Sequence, residues 1–243
     1  MNAKTLQQMS EMRLYGMHRA FSSSMTPQQV NYTKDELIAY LTHSEYDDRQ
    51  NRKVERLTRM AKFRYRAALE HIEYDEKRNL DKNEILRYAT CEFIKNNQNI
   101  LITGSTGAGK SYIASALGHQ ACSLGYKVLY YNAAKLFTLL KTSKADGSYI
   151  KEINRIEKQD LIIIDDFGLK ALDGINRQAL MEIIEDRHGK RSTVIASQLP
   201  VEAWHQVIGE QTIADAILDR LVHSAHRIDI QGESMRKKSI KKH

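Results

Sequence analysis

Apolar residues are spaced differently in the two parts of the chain. Up to about residue 95 they recur at helical spacing, as in Leu37 and Leu41. Further along, short runs rich in β-branched residues alternate with amphipathic stretches, the pattern typical of a parallel sheet covered by helices. We therefore predict a helical N-terminal domain at 1–75, followed by an α/β domain at 76–243.

Five strands are expected in the second domain, and helices fill the intervals between them. The third strand contains Leu-Ile-Ile-Ile, which is apolar on both faces and predicts a central position in the sheet. Two of the intervening helices are expected at 111–122 and 175–188. The strands are expected at 100–103, 127–131, 161–165, 193–197 and 227–230.

The helical domain contains one clear helix start and one strongly basic stretch. Thr33 can cap the first backbone N–H groups while Glu36 reaches back, which is the reciprocal arrangement of a capping box. Basic residues dominate 49–66, which we predict to be a single helix. This helix is either a contact surface for a polyanion, or a solvated face or one that packs against an acidic partner. Its basic residues are Arg49, Arg52, Lys53, Arg56, Arg59, Lys62, Arg64 and Arg66.

The composition narrows the class of protein. With 42% hydrophobic and 28% charged residues and two prolines in 243, extensive disorder is not expected. No apolar run is long enough to span a bilayer and the N-terminus lacks a signal-peptide core, so we expect a cytoplasmic protein. Cys91 and Cys122 lack a metal-ligand spacing and are interpreted as reduced thiols. A net charge of +7 favours a polyanionic partner.

The first motif with chemical meaning is Gly-Ser-Thr-Gly-Ala-Gly-Lys-Ser at 104–111, between an expected strand and an expected helix. It matches the P-loop pattern, whose glycines turn backbone N–H groups towards phosphates at the start of a helix. Lys110 supplies a point charge and Ser111 a Mg²⁺ ligand, so ATP with Mg²⁺ is the predicted ligand. The residues expected to hold the nucleotide are Gly104, Ser105, Thr106, Gly107, Ala108, Gly109, Lys110, Ser111 and Tyr112.

A second motif lies at the end of the third strand, where Asp165 and Asp166 follow the apolar run. Ligands of α/β folds bind at this edge of the sheet. Asp165 is interpreted as an Mg²⁺ ligand together with Ser111, and Asp166 as the carboxylate that polarises an attacking water. Taken alone, a solvated acidic turn would explain the pair equally well. Its position after a P-loop favours a Walker B motif.

Three further residues are candidates because of their positions. Gln198 follows the fourth strand, where an amide can hold a water molecule or the terminal phosphate. Arg220, in Ala-Ile-Leu-Asp-Arg-Leu, and Arg236, in Gly-Glu-Ser-Met-Arg, are candidates for arginines that complete the site of a neighbouring subunit. Both arginines could instead be paired surface residues.

Taken together, these motifs resemble the AAA+ ATPases, and within them the clade of the helicase loader DnaC and of the IstB transposition helpers of IS21-type insertion sequences. The resemblance to IstB covers nearly the whole chain. It includes Met-Arg-Leu-Tyr-Gly-Met near the N-terminus, Gly-His-Gln-Ala-Cys after the P-loop, Asp-Asp-Phe-Gly at the third strand, and Ala-Ile-Leu-Asp-Arg-Leu-Val-His towards the C-terminus.

This resemblance implies a P-loop AAA+ core without the usual helical lid, and an ATPase that assembles as a homo-oligomer on double-stranded DNA. It also implies that the protein bends the DNA and recruits or activates an IS21-type, IstA-like transposase. ATP would lie between protomers, with Arg220 acting in trans and Arg236 contacting the nucleotide or the neighbour. The family's DNA-contacting segment corresponds to Tyr149 and to the basic residues Lys141, Lys144, Lys151 and Arg155. The basic helix expected at 49–66 is the rival DNA site.

Two residues depart from the general AAA+ pattern. Asp166 stands where glutamate is commoner, and Gln198 where asparagine is commoner. We hypothesise that the longer Gln198 shares the water that the shorter Asp166 holds less closely. Three other functions remain open: a DnaC-like helicase loader, a small-molecule kinase, and a nucleotide-gated DNA-binding module with negligible turnover. The kinase accounts for neither the Asp165–Asp166 pair nor Arg220.

Overall fold

The structure, a computed structural model, describes residues 2–24, 32–75, 78–232 and 234–235. Its contacts divide the chain into two compact units, Met1–Arg56 and Leu57–His243. The boundary expected from the sequence was at residue 75. Residues 57–75 belong to the second unit, since Leu57, Ala61 and Ala67 are buried in its hydrophobic core.

The described part of the first unit is helical, as its apolar spacing predicted. Its helices are α1 (Asn2–Glu11), α2 (Tyr15–Ser24) and the first part of α3 (Lys34–Ala61). The Thr33 N–H donates to Glu36 Oε2 at 2.8 Å, and the Glu36 N–H donates to Thr33 Oγ1 at 3.3 Å. The predicted capping box is therefore confirmed, and it satisfies backbone N–H groups that have no partner within the helix.

A buried carboxylate, Glu45, stabilises the first unit. It accepts hydrogen bonds from the N–H groups of Gly16 at 2.9 Å and Met17 at 3.2 Å, at the start of α2. Negative charge is favourable at a helix N-terminus, where N–H groups lack partners within the helix. Arg49 Nε lies 2.7 Å from the same carboxylate. Gly16 permits this approach, because a Cβ there would lie 2.2 Å from the Ser44 carbonyl oxygen.

The basic stretch at 49–66 is not one helix, so that prediction is wrong. Helix α3 ends at Ala61, and Lys62 has a left-handed backbone conformation with a φ of 58°. Within the first unit, Arg52 Nε lies 2.5 Å from Asp48 Oδ2, one helical turn earlier. Part of the basic stretch therefore pairs with carboxylates of its own helix.

The second unit is built on five parallel strands, which confirms the predicted α/β fold class. The strand order is β2-β3-β4-β1-β5. The third strand has neighbours on both sides, as its apolar sequence predicted, although the fourth occupies the middle of the sheet. The strands are β1 (Asn99–Gly104), β2 (Val128–Asn132), β3 (Leu161–Phe167), β4 (Ser192–Ser197) and β5 (Ala225–Ile230).

Helices cover both faces of this sheet. Ile163 of β3 lies in one hydrophobic core with Leu117, whereas its neighbours Ile162 and Ile164 lie in a second core with Leu136. Alternate residues of a strand thus fill two cores, as expected of a sheet buried on both faces. The helices expected at 111–122 and 175–188 are confirmed as α6 (Lys110–Ser123) and α9 (Gly174–Arg187). The helices are α4 (Lys82–Ala89), α5 (Glu92–Lys95), α6 (Lys110–Ser123), α7 (Ala133–Asp146), α8 (Tyr149–Glu157), α9 (Gly174–Arg187), α10 (Trp204–Ile208) and α11 (Gln211–Val222), with 3₁₀ turns at Leu69–His71 and Val201–Ala203.

The two cysteines are both free and buried. Burial raises the pKa of Cys91 to about 11 and that of Cys122 to about 12. Since the thiolate is the reactive form of cysteine, both side chains should be inert at neutral pH. Over the described ranges, no helix is both long and apolar enough to traverse a bilayer.

Candidate functional site

Three of the predicted motifs meet at one edge of the sheet, which we call the carboxyl edge. Because the strands are parallel, their carboxyl ends lie together there. The P-loop follows β1, Asp165 and Asp166 lie at the end of β3, and Gln198 follows β4. A cavity of about 560 Å³ opens at this edge, and its lining includes Lys110, Ser111, Asp166 and Gln198. The structure thus brings together residues that lie far apart in the sequence.

The P-loop requires its glycines for conformation and for space. Gly104, Gly107 and Gly109 have φ values of 142°, 81° and 100°, which L side chains rarely adopt. In addition, a Cβ at Gly104 would lie 2.2 Å from a carbonyl oxygen of β5, the neighbouring strand. Lys110 begins α6, and its Nζ donates to the Ser105 carbonyl oxygen at 2.8 Å. The loop therefore presents a helix N-terminus and a lysine, an arrangement that attracts phosphate.

A hydroxyl and a carboxylate form a candidate Mg²⁺ site at the start of α6. Ser111 Oγ donates to Asp165 Oδ1 at 2.9 Å, and Asp165 is fully buried. The other carboxylate oxygen accepts a hydrogen bond from Tyr130, and burial together with this bond raises the pKa of Tyr130. Oxygen ligands of this kind suit Mg²⁺. The residues present therefore fit an ion held by Ser111 and Asp165.

Asp166 faces the cavity because the end of β3 is irregular. The pairing of β3 with β4 shifts between Ile164 and Phe167, and Asp166 itself has a φ of 58°. Aspartate tolerates this left-handed conformation better than most residues. The Asp166 N–H donates to Asp165 Oδ1 at 2.9 Å. The bulge therefore separates the two adjacent carboxylates: Asp165 is buried beside Ser111, and Asp166 lines the cavity.

Two residues missed in the sequence analysis hold the side chain of Asp166. Asn132 Nδ2 and Arg64 Nη1 each lie 2.9 Å from Asp166 Oδ2, and Arg64 Nη1 also lies 3.8 Å from Asp165 Oδ2. Asn132 ends β2, so the rule that ligands bind at strand ends could have found it. Arg64 is one of several cations in the basic stretch at 49–66. No local pattern indicates that it pairs with Asp166, 102 positions away.

The side chains of Gln198 and Arg78 brace the P-loop. Thr106 Oγ1 donates to Gln198 Oε1 at 2.6 Å. Arg78, also missed in the sequence analysis, is buried and donates from Nη2 to the Ala108 carbonyl oxygen at 2.7 Å. Both Gln198 and Arg78 line the cavity. The conformation of the P-loop and the shape of the cavity therefore depend on the same side chains.

Arg220 lies at the opposite edge of the sheet, which we call the amino edge. Its Nε lies 2.6 Å from Glu185 Oε2, and its Nη1 donates to the Ala216 carbonyl oxygen at 2.9 Å. Asn99, the first residue of β1, donates to the Arg220 carbonyl oxygen, whereas the P-loop starts at the other end of this six-residue strand. Such a strand is about 17 Å long. Arg220 therefore lies far from the P-loop of its own chain.

Arg236 lies outside the described residues. Part of the segment before it contacts the P-loop: the Met235 N–H donates to the Gly107 carbonyl oxygen at 2.9 Å. Ser105 Oγ likewise donates to the Gly232 carbonyl oxygen at 3.1 Å. The described chain after β5 therefore packs directly on the phosphate-binding loop.

The residues expected to contact DNA are exposed and lie on two consecutive helices. Lys141 and Lys144 belong to α7, and Lys151 and Arg155 to α8. Lys144 Nζ lies 4.6 Å from the centre of the Tyr149 ring. Lys141 and Arg155 have acidic neighbours at 3.9 Å and 3.4 Å, but exposed pairs of this kind are weak. These side chains therefore remain available to a polyanion.

The fold and the site together define a class of protein. A P-loop that opens a helix, a buried aspartate beside its serine, and a parallel sheet covered on both faces are the features of a P-loop nucleotide-binding protein, here with the α/β fold of AAA+ proteins. The chain is similar in fold to the crystal structure of the DnaC helicase loader, with a TM-score of 0.56 and 18% identity, covering 69% of this chain and 98% of that chain.

Sequence comparison identifies the family more narrowly. The chain belongs to the family described as IstB-like ATP binding protein, which matches residues 7–243. It is 42% identical, over 98% of both chains, to a putative insertion sequence ATP-binding protein of Sinorhizobium fredii. It is 40% identical to the IS1162 putative ATP-binding protein of Pseudomonas fluorescens, covering 82% of this chain and 87% of the relative. The predicted resemblance to IstB is therefore confirmed.

Proposed function

We propose that this protein hydrolyses ATP as an oligomer assembled on duplex DNA, where it recruits or activates the transposase of its insertion sequence. One observation carries the proposal: the P-loop lies at the carboxyl edge of the sheet, and Arg220 lies at the amino edge. A single chain cannot combine the two, whereas neighbouring copies can. Hydrolysis would then depend on assembly, and it would regulate disassembly.

Each residue at the carboxyl edge has a role in this proposal. Backbone N–H groups of the P-loop and Lys110 bind the phosphates, and Ser111 and Asp165 hold Mg²⁺. The ion, when bound, neutralises charge on the phosphate oxygens. Asp166 lines the cavity as a carboxylate that can orient and deprotonate water. Gln198 is held against the P-loop and can orient the same water.

Arg220 supplies a further cation in trans. Phosphoryl transfer depends on stabilising charge at the terminal phosphate, and an arginine finger contributes a rate factor of about 10³ to 10⁵. Within one chain Arg220 is paired with Glu185 at 2.6 Å, at the amino edge of the sheet and away from the P-loop. A dispersed protein should therefore hydrolyse ATP slowly, and assembly on DNA should accelerate it.

The names of the relatives favour transposition over helicase loading. Proteins 42% and 40% identical to this chain are named insertion sequence ATP-binding proteins. The likeness to DnaC, at 18% identity, supports a shared fold alone. Pull-down with an IS21-type transposase and with a replicative helicase separates the two functions, and selective capture of the helicase would overturn this part of the proposal.

Phosphate release with and without duplex DNA tests the ATPase. The wild-type protein should turn over slowly alone and about 10³-fold faster or more on DNA, because assembly supplies Arg220 as an arginine finger. Lys110→Ala should abolish turnover by removing the charge that binds the phosphates. A wild-type protein that binds both ATP and DNA, yet shows no stimulation, would contradict hydrolysis between copies.

The salt dependence of DNA affinity tests the assigned DNA surface. Replacing Lys144 and Lys151 together with alanine should reduce the slope of log affinity against log salt by about two, because each phosphate contact contributes about one. The matched control replaces Lys53 and Arg56 of α3 together with alanine, because the basic stretch at 49–66 is the alternative DNA-binding surface. If only this second pair changes the slope, DNA binds at α3. A flat wild-type profile excludes both surfaces.

A further inference from the structure

Arg64 places a positive charge in the nucleotide cavity. It lies on the irregular segment between α3 and the first 3₁₀ turn, and it lines the same cavity as Lys110 and Ser111. Its Nη1 lies 2.9 Å from Asp166 Oδ2, and its side chain is 42% exposed. The carboxylate that we assign to water activation is thus already paired with a cation of its own chain.

Arg64 can leave this ion pair for another partner without leaving Asp166 unpartnered. Asn132 Nδ2 donates to the same carboxylate oxygen at 2.9 Å, so Asp166 keeps a hydrogen bond when Arg64 moves away. A pair in which one side chain is half-exposed is weak, since water competes for both groups. Arg64 itself lies outside any helix, and its guanidinium also lies 5.4 Å from the centre of the neighbouring Tyr65 ring.

A terminal phosphate would compete strongly for Arg64. It carries more negative charge than a carboxylate, and its oxygens accept the parallel hydrogen bonds that a guanidinium donates. Lys110 and Ser111 of the P-loop line the same cavity as Arg64. ATP bound there therefore offers Arg64 a stronger partner than Asp166, and ADP, which lacks the γ-phosphate, does not.

We propose that Arg64 senses the γ-phosphate of ATP within its own chain. Without ATP, Arg64 neutralises Asp166; with ATP, Arg64 binds the terminal phosphate, and Asp166 becomes available to water. This inference rests on the proposed ATPase function and adds an arginine in cis that distinguishes ATP from ADP. The water-activating carboxylate is then exposed only when there is a phosphate to attack.

Equilibrium binding of Mg²⁺ complexes of ADP and of a non-hydrolysable ATP analogue tests this role. Arg64→Ala should lower the preference for the ATP analogue over ADP by about tenfold to a hundredfold, the contribution of a charge-assisted hydrogen bond, while the ADP affinity changes little. Arg64→Lys should restore part of the preference, because lysine keeps the charge but not the guanidinium geometry. Arg66→Ala, two residues along the same exposed segment, should keep the wild-type preference.

Three results would show that Arg64 does not sense the γ-phosphate. An unchanged preference in a folded Arg64→Ala protein overturns the inference, and so does an equal loss of affinity for both nucleotides. Faster DNA-stimulated hydrolysis by Arg64→Ala would also overturn it, since Arg64 would then only inhibit Asp166. Thermal unfolding shows whether each variant is folded. Because the binding assay needs no turnover, a wild-type protein that never hydrolyses ATP would contradict the proposed function and leave this test valid.

Discussion

The charged residues at the two edges of the sheet differ in their surroundings. At the carboxyl edge, Lys110 and Asp166 face a cavity of about 560 Å³. At the amino edge, Arg220 is paired with Glu185 at 2.6 Å, and Arg187 is buried among backbone carbonyl groups. These charged groups have partners within the chain at both edges, but those of the carboxyl edge also line a cavity large enough for a ligand.

This difference shows what each edge can contribute to chemistry. The carboxyl edge can bind phosphate without rearranging its framework, because the P-loop is already shaped by its glycines. The amino edge can contribute Arg220 only if the guanidinium exchanges Glu185 for a phosphate of another copy. We therefore expect mutations at the two edges to have separable effects on nucleotide affinity, on ATP hydrolysis and on the stability of the fold.

The largest effect is expected from Arg220→Ala. DNA-stimulated hydrolysis should fall by about 10³ or more, the contribution of an arginine finger, while ATP affinity stays near wild type. Phosphate release at saturating ATP and equilibrium nucleotide binding measure the two quantities. A wild-type DNA-stimulated rate in this variant would show that the amino edge has no part in the reaction.

A mixing experiment sharpens this prediction. Arg220→Ala protein keeps a complete P-loop, and Lys110→Ala protein keeps its arginine, so a mixed assembly contains some complete sites. Two inactive preparations should therefore recover part of the activity when mixed on DNA. No recovery, although both variants enter the same assemblies, would mean that Arg220 acts within its own chain or not at all.

Arg187→Met should cause the next largest effect, and on stability alone. Arg187 donates to carbonyl oxygens of Ile156 at 2.9 Å, Gln159 at 3.0 Å and Ser192 at 2.5 Å, and burial lowers its pKa to about 9. Methionine would leave these acceptors without a partner, which should destabilise the protein by about 3 kcal/mol. The urea midpoint should fall with an unchanged slope.

Arg191→Ala is the matched control for this prediction. Arg191 lies near Arg187 in sequence but is 44% exposed, and it pairs with Asp160 at 2.8 Å. An exposed pair contributes about 1 kcal/mol or less, so the midpoint should change little. Equal destabilisation by the two variants would show that the burial of Arg187 has no special importance.

The smallest effect is expected from the coupling between Asp166 and Gln198. Each of Asp166→Glu and Gln198→Asn should slow DNA-stimulated hydrolysis about tenfold, and the double variant should lose about 1 kcal/mol less than the sum of the single effects. Both side chains line the cavity, and Gln198 is held by Thr106 at 2.6 Å. Additive effects would exclude a shared water.

Local patterns predicted the parts of the fold and site that depend on neighbours in sequence. The P-loop lies between β1 and α6, and Asp165 at the end of β3, because strand, turn and helix signals are local. The end of α3 at Ala61 was missed, since the basic residues that follow are compatible with a helix. The chain leaves the helix there and places Ala67 in the core, so tertiary packing overrides local preference.

The sequence by itself determined the class of fold, the phosphate-binding loop, the paired carboxylates and the family of this protein. Only the tertiary structure decided which charges face each other: it placed Arg64 and Asn132 on Asp166, and it kept Arg220 with Glu185 at the amino edge. Glycine turns and apolar periods act over a few residues, so sequence shows them directly. Ion pairs between distant residues depend on strand order, on helix packing and on the irregular end of β3, and sequence spacing does not show these.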